Sequence, residues 1–307
     1  MNVYHKPVLV NYVVRSLEAV HANVVFDATL GDGGYAEAIL QAMPSLGKLY
    51  GIDRDPQALA RARKRLVVFG DRFSAIEGNF ADLELIASRV GVEAVDGVVA
   101  DLGVSYLQIS DPGRGFMFSK SGPLSMQMGQ DAELSAEDVV NTFSEKELAH
   151  ILWSYGEERG AKRIARAIVA RRNTKKIETT EELADIVRSV VNSRFAVKSL
   201  ARVFQAIRIF VNKELESLDL FLPQALRLLK KNGYLVVLSY HSLEDRKVKR
   251  FMHREQNPCT CPPDLPVCVC GKKPRLQIIG KVIRPSSEEV ARNPNSRSAK
   301  MRIARKL

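Results

Sequence analysis

Cysteine is nearly missing from this chain: Cys259, Cys261, Cys268 and Cys270 crowd one short stretch, and none stands elsewhere in the 307 residues. That excludes a disulfide framework of the kind secreted domains carry and points to a reducing cytoplasm. No apolar run reaches membrane-spanning length; residues 234–240, among the longest, read as a buried strand. The opening residues, MNVYHKPVLV, lack the order of basic, apolar and small residues that marks a signal peptide. Acids are also short, with 35 Asp and Glu against 46 Lys and Arg, a formal charge of +11. Such a field draws polyanions, so RNA, DNA or an anionic membrane surface are the natural partners. With 46% hydrophobic and 26% charged residues the chain is otherwise an ordinary globular protein, long enough for one domain carrying an insertion.

Over the first hundred residues, strand and helix patterns alternate. Residues 24–28, 49–53, 73–77 and 95–101 are short apolar strands, and 35–43, 56–68 and 81–90 carry helical periodicity. Pro56 sits in the first turn of the second helix, where its missing N–H is not needed. Strands separated by helices of that length predict βαβ units and a parallel sheet. The rhythm breaks at 102–123, rich in Gly, Ser, Asp and Pro, which reads as a long loop of the functional kind. From 135 to about 194 the pattern is helical only, with starts at Ser135, Ser144 and Thr180, the last preceded by a Thr179–Glu182 capping pair. Helices over 200–231, a central strand at 233–240, a helix at 242–254 and closing strands at 276–283 and 300–305 complete the reading.

Between the first strand and the helix that follows it runs Asp27-Ala28-Thr29-Leu30-Gly31-Asp32-Gly33-Gly34-Tyr35-Ala36. Glycines there let the backbone approach a ligand, and the helix N-terminus offers unpaired N–H groups. Twenty residues beyond Gly33, Asp53 ends the next strand, where a carboxylate can accept both hydroxyls of a ribose. Gly31, Gly33 and Ala36 also fit G-x-G-x-x-G/A, so a nicotinamide dinucleotide is a legitimate alternative. Asp27, able to hold a cationic amino group, and Asp101, ending the fourth strand, favour a sulfonium cofactor. Singly each reads as a loop cap; together at strand ends they mark a ligand site.

These residues belong to a longer ordered series. It comprises His5-x-Pro7-Val8-Leu9, Gly31-x-Gly33-Gly34, Gly51-Ile52-Asp53-Arg54-Asp55, Asp101-Leu102-Gly103-Val104-Ser105 and Arg114-Gly115-Phe116. It continues through Tyr155-Gly156-Glu157-Glu158-Arg159, Phe204-Gln205-Ala206-Ile207-Arg208, His241-Ser242-Leu243-Glu244-Asp245-Arg246 and Arg297-Ser298-Ala299-Lys300. Over nearly the whole chain the series resembles the bacterial 16S rRNA cytosine-N4 methyltransferase family. The resemblance implies a Rossmann-like α/β class I methyltransferase sheet with an inserted all-helical domain. Residues 1–104 and 200–307 would form the methyltransferase domain, and 105–199 a loop plus helical insertion for RNA recognition. It further implies S-adenosyl-L-methionine as cofactor, a decoding-centre cytosine of 16S rRNA as target, and the RNA or the small ribosomal subunit as partner. The family's cofactor positions fall on Gly33, Gly34, Tyr35, Asp53, Phe80, Asp101 and Gln108, with Phe80 placed to pack on the adenine. The chain also departs from the family pattern. Tyr35 stands where the glycine loop normally ends in His, and Tyr106 where a second Ser is usual. Ser125, Gln127 and Gly129 replace Asp, Arg and Asp. A catalytically weakened RNA-binding or assembly protein on the same fold therefore stays beside the enzyme reading.

Methyl transfer to an exocyclic amine requires nucleophile, methyl and sulfur in line, and positioning supplies much of the rate. Cytosine's amine is a poor nucleophile because its lone pair is delocalised, so an acceptor for its proton assists. Asp101 and His241, each at a strand end, are the candidate acceptors; His241 reads equally as a structural hydrogen bonder. Arg159, Lys162, Arg163 and Arg166 form one basic stripe opposite Ala161, Ile164, Ala165 and Ile168, with Arg171, Arg172, Lys175 and Lys176 just beyond. The stripe is a candidate RNA contact, or else a solvated charged face. Cys259, Cys261, Cys268 and Cys270 are candidate zinc ligands in a Pro-rich loop, or else four reduced thiols.

Overall fold

A computed structural model describes residues 7–262 and 269–307; His5 of the opening motif and Cys268 lie outside the described residues. The chain divides into two compact units, one of Met1–Gly103 with Leu215–Leu307 and one of Val104–Glu214.

The first segment of the sheet unit runs α1 (Val10–Glu18), β1 (Val24–Asp27), α2 (Gly34–Ala42), β2 (Lys48–Asp53), α3 (Pro56–Leu66), β3 (Phe73–Glu77), α4 (Leu83–Arg89) and β4 (Val95–Asp101). The second unit carries α5 (Tyr106–Ser110), α6 (Ala136–Thr142), α7 (Glu145–Gly156), α8 (Ala161–Arg172), α9 (Thr180–Val190) and α10 (Ala196–Val211). The sheet unit then resumes with α11 (Glu214–Leu228), β5 (Leu229–Ser239), α12 (Ser242–Gln256), β6 (Leu276–Ile278), α13 (Ser287–Arg292) and β7 (Lys300–Lys306).

The strands lie in the order β3-β2-β1-β4-β5-β7-β6. The first five are parallel, and β7 runs antiparallel to both β5 and β6. Both sheet faces are apolar, and the two-residue period of each strand divides its side chains between two cores. Phe26, Ile52, Val98, Leu235 and Val237 meet Phe221 and Leu222 of α11 and Phe251 and Met252 of α12 on one face. Val25, Leu49, Val99, Val236 and Leu238 meet Leu17 of α1, Ile39 of α2 and Leu59 and Leu66 of α3 on the other. Asp55 caps α3 by accepting from the Gln57 N–H at 3.0 Å, directly ahead of Pro56.

The helical unit starts its helices on reciprocal capping boxes. Ser135 with Asp138, Ser144 with Glu147, and Thr179 with Glu182 each exchange side-chain and backbone bonds at α6, α7 and α9. Its core gathers Leu148, Ile151 and Leu152 of α7, Ile164 and Ile168 of α8, and Leu183 and Val187 of α9. α10 contributes Leu200, Val203, Phe204 and Ile207 to that same core, which is why the unit extends to Glu214 and not to 199.

Three further differences from the sequence reading have local causes. The stretch 102–123 is not all loop: Ser105 and Gln108 form a capping box that starts α5. The expected strand 276–283 stops at Ile278; Gly280 turns to a φ of +69°, and Ile283 makes only an isolated bridge to Met301. Helices α1 and α13 had no counterpart in the reading, although Ser286 caps α13 on the Glu289 N–H. Among the described residues no helix is long and apolar enough to cross a membrane.

Candidate active site

The carboxyl ends of β1, β2 and β4 bring Asp27, Asp53 and Asp101 to one edge of the sheet. The glycine loop between β1 and α2 is built around them. Gly33 takes a φ of +84°, and a Cβ there would lie 2.9 Å from Leu66 Cδ1, so both the turn and its packing on α3 demand glycine. On β2, a Cβ at Gly51 would lie 2.5 Å from Leu30 Cδ1, so this glycine lets the loop fold down onto the sheet.

Asp53 and Asp27 accept backbone N–H groups, whereas the Asp101 carboxyl accepts a hydroxyl. Asp53 accepts the Gly31 N–H at 2.7 Å on one oxygen and the Asp55 N–H at 2.9 Å on the other. Asp27 is fully buried and accepts the Thr29 N–H at 3.2 Å through Oδ1, while its Oδ2 is buried without a hydrogen-bond partner. Asp101 donates its own N–H to Thr29 Oγ1 at 2.6 Å. Its carboxyl takes the Tyr240 hydroxyl, yet Oδ1 is buried and unpartnered.

Burial makes all three carboxyls resist ionisation, and a neighbouring carboxylate adds to the effect at Asp27 and at Asp101. Desolvation pushes Asp27 up to about 7, opposed by the Thr29 N–H and helped by the charge of Asp53. Desolvation likewise raises Asp101 to about 7, opposed by the Tyr240 hydroxyl and helped by Asp27 and Glu244. Asp53 is raised to about 6, again first by burial, with the Asp55 and Gly31 N–H groups pulling the other way. A pocket wall built this way is fitted to a ligand that brings positive charge and hydrogen-bond donors.

Tyr35, the residue that departs from the family pattern, is buried and donates its hydroxyl to Val8 O at 2.6 Å. Burial and the charges of Asp101 and Asp27 hold that hydroxyl well above its ordinary pKa, so it works here as a neutral pin on the segment before α1. Phe80 follows β3 in a 3-10 turn, Phe80–Asp82, and stands edge-on to Phe221 with ring centres 5.1 Å apart. His241 is the N-cap of α12: Nδ1 accepts the Glu244 N–H at 3.4 Å, and Nε2 lies 3.1 Å from Glu244 Oε1. Despite that proximity, Nε2 is buried without a hydrogen-bond partner among the described residues. Glu244 also accepts the Tyr240 N–H at 3.0 Å. The next residue, Asp245, takes Lys300 at 3.0 Å and Arg302 at 2.7 Å, so the His241–Arg246 and Arg297–Lys300 motifs are two sides of one clasp. Thr29, Tyr240 and Glu244 went unremarked as site residues in the sequence; adjacency to Asp27 and His241 was their only signal.

Gln108 belongs to the helical unit and is nearly buried there. Its side chain accepts the Ser105 N–H at 3.0 Å and donates to Met128 O at 3.3 Å. The unusual stretch around Ser125, Gln127 and Gly129 is held mainly through its backbone. Arg114 donates to Gln127 O and Met128 O, both at 3.0 Å, and Asn212 bonds Met128 N at 2.8 Å and Met126 O at 2.7 Å. Arg159, just ahead of α8, and Lys162, Arg163 and Arg166 on it are all exposed. Arg166 reaches Glu145 at 3.4 Å, and Arg172, Lys175 and Lys176 bond Val140 O, Glu182 and Glu137. Among the described residues Arg159, Lys162 and Arg163 face no carboxylate at ion-pair distance.

A parallel sheet of order 3-2-1-4-5 closed by an antiparallel seventh strand, with acids at the ends of β1, β2 and β4, is the fold of class I S-adenosylmethionine-dependent methyltransferases. More narrowly, the chain belongs to the MraW methylase family, whose model matches residues 2–307. It is 49% identical to the ribosomal RNA small subunit methyltransferase H of Carboxydothermus hydrogenoformans, over 100% of this chain and 99% of that one. Identity to the Thermomicrobium roseum protein of the same name is 46%, over 99% and 94% of the two chains. Among solved structures, a putative rRNA methylase from Clostridium thermocellum aligns over 99% of this chain and 100% of its own, with a TM-score of 0.44 at 12% identity. Membership in a methylase family removes the nicotinamide oxidoreductase alternative; G-x-G-x-x-A was here a glycine loop of another cofactor class.

Proposed function

We propose that this protein transfers a methyl group from S-adenosyl-L-methionine to the exocyclic N4 amine of a decoding-centre cytosine in 16S rRNA, acting in the cytoplasm on the small subunit or its RNA. The observation that carries the reading is the trio Asp27, Asp53 and Asp101, with buried unpartnered oxygens on the first and last. The names of the relatives, which specify small-subunit ribosomal RNA, supply the target. A sulfonium and an ammonium meet the charge these acids need, whereas a neutral or anionic ligand would leave them unpaired.

In this reading Asp53 holds the ribose hydroxyls, Asp27 the amino group, Gly33 and Gly34 the closely approaching backbone, and Phe80 one face of the adenine. S-adenosylmethionine, when bound, supplies an electrophilic methyl on sulfur. Asp101 is the proton acceptor for the amine. Its raised pKa, about 7, gives it useful basicity at neutral pH, and Thr29 and Tyr240 fix its orientation. His241, with both ring nitrogens turned to Glu244, holds the N-terminus of α12 and the Tyr240 backbone beside that acid. Arg159, Lys162, Arg163 and Arg166 contact RNA phosphates from the helical unit.

The test is nucleoside mass spectrometry of small subunits lacking the modification, before and after treatment with enzyme and cofactor. One methyl on the exocyclic amine of a cytosine is expected. A methyl on a ring carbon or a ribose, or none despite measured cofactor binding, would refute it.

A further inference from the structure

The cysteines stand apart from the acids just described. They occupy the segment joining α12 to β6, whose base is clamped shut. Arg275 N donates to Glu255 O at 2.9 Å and its side chain to Glu255 Oε2 at 2.7 Å, while Ile278 N donates to Gln256 Oε1 at 2.7 Å. Within the segment, Cys259, Cys261 and Cys270 bring their sulfurs within 4.8 Å of one another. The Cys259 and Cys270 sulfurs are 3.9 Å apart. A disulfide holds its sulfurs about 2.05 Å apart, so this pair is not one. A tetrahedral zinc ion with Zn–S bonds near 2.3 Å sets its sulfurs about 3.8 Å apart, close to the spacing found. A Lys272 ammonium lies 3.3 Å from the Oγ1 of Thr260, the residue between Cys259 and Cys261 in the chain.

We propose that Cys259, Cys261 and Cys270 bind one zinc ion as thiolates, a structural site separate from the methyl-transfer centre. Thiolates are soft ligands, and sulfur-rich tetrahedral sets select zinc over hard cations such as magnesium or calcium. No other element of this segment between Gln256 and Arg275 appears as helix or strand among the described residues, so the ion takes the place of a core there. Its consequence is local: the ion ties the end of α12 to the approach of β6, whose sheet neighbour among the described residues is β7.

The experiment uses the full-length protein, purified reducing and metal-free, titrated with cobalt(II) as a spectroscopic substitute and then with zinc. The expected result is a thiolate-to-cobalt charge-transfer band with intense tetrahedral d–d absorption, saturating at one metal per chain and displaced by zinc. Cys259→Ser and Cys270→Ser should each lower the affinity at least tenfold and reduce the charge-transfer intensity. Proteolysis within the segment should quicken when zinc is chelated from the native protein. Cobalt spectra without a charge-transfer band, binding indifferent to both substitutions, or an intact mass short of two hydrogens in the untreated protein would overturn the proposal. The wild-type titration decides even if a variant fails to fold.

Discussion

Asp27→Asn tests whether the acid edge of the sheet is kept at a cost to the fold. Asp27 is fully buried, and its carboxyl stands at about 7 against an ordinary 3.8. The folded value lies above the unfolded one, so the group contributes most below about pH 4 and its contribution is lost as pH rises through about 7. At about 1.4 kcal/mol per pH unit, the gap between 3.8 and about 7 makes ionised Asp27 cost the fold about 4 kcal/mol at pH 8. Asparagine keeps the shape and an oxygen for the Thr29 N–H, but places an amide at the unpartnered Oδ2, a penalty of about 1–3 kcal/mol. Without cofactor, the variant should melt a few degrees above the parent at pH 8, and slightly below it at pH 4, where the parent carboxyl is neutral. Added S-adenosylmethionine should reverse the order at pH 8, because ligand stabilisation follows affinity and the variant has lost the anion that holds the ammonium. Differential scanning fluorimetry at the two pH values, with and without cofactor, reads all four states. A variant that melts below the parent at pH 8 without ligand, or a difference that ignores pH, would refute the reasoning.

Other expectations follow from the same geometry. Asp53→Ala should weaken cofactor binding by about 2 kcal/mol or more, roughly thirtyfold, since two ribose hydroxyls lose a charged acceptor and the Gly31 N–H is released; calorimetry with an unchanged Kd removes Asp53 from the site. Asp101→Asn should slow methyl transfer about 10²–10⁴-fold. In the role proposed for Asp101 its deprotonated form is the active one, so the parent rate should climb with pH through about 7, and the variant's single-turnover profile should lack that limb. Replacing Lys162, Arg163 and Arg166 together by Gln should lower the log–log salt slope of RNA binding by about 2, with cofactor affinity unchanged; identical slopes would make the stripe a solvated face.

Much of this molecule is legible in its sequence, and the rest is hidden there for identifiable reasons. Strands β1 to β4 are short apolar runs bounded by turn residues, and local pattern suffices for them. The helix starts at Ser135, Ser144 and Thr179 carry their own caps, which act within four residues and need no tertiary context. The start of α5 at Ser105–Gln108 carries the same signal, but Gly and Pro on either side obscured it. His241 as an N-cap was invisible, because His is not among the usual capping residues and the cap depends on Glu244 turning back to it. The acids Asp27, Asp53 and Asp101 were placed by strand ends, whereas the hydroxyls that position Asp101 come from Thr29 and Tyr240, two segments joined only by the parallel register of β1, β4 and β5. Long-range partnerships of that kind leave no periodic trace. An amphipathic helix such as α10 suits either unit, and its packing partners in the helical core are what assign it.

The seventh strand carries a consequence in time. β7 follows β6 in the chain but lies between β5 and β6 in the sheet, and it delivers Lys300 and Arg302 to Asp245 at the start of α12. A growing polypeptide that has made everything through β6 therefore has an unpaired edge on β5, a β6 with no neighbour, and an Asp245 lacking both cations. The N-terminus of α12, with Tyr240 and Glu244 beside Asp101, is fastened only when β7 has taken its place between β5 and β6. Until β7 is paired, the end of α12 beside Asp101 lacks its Lys300 and Arg302 clasp.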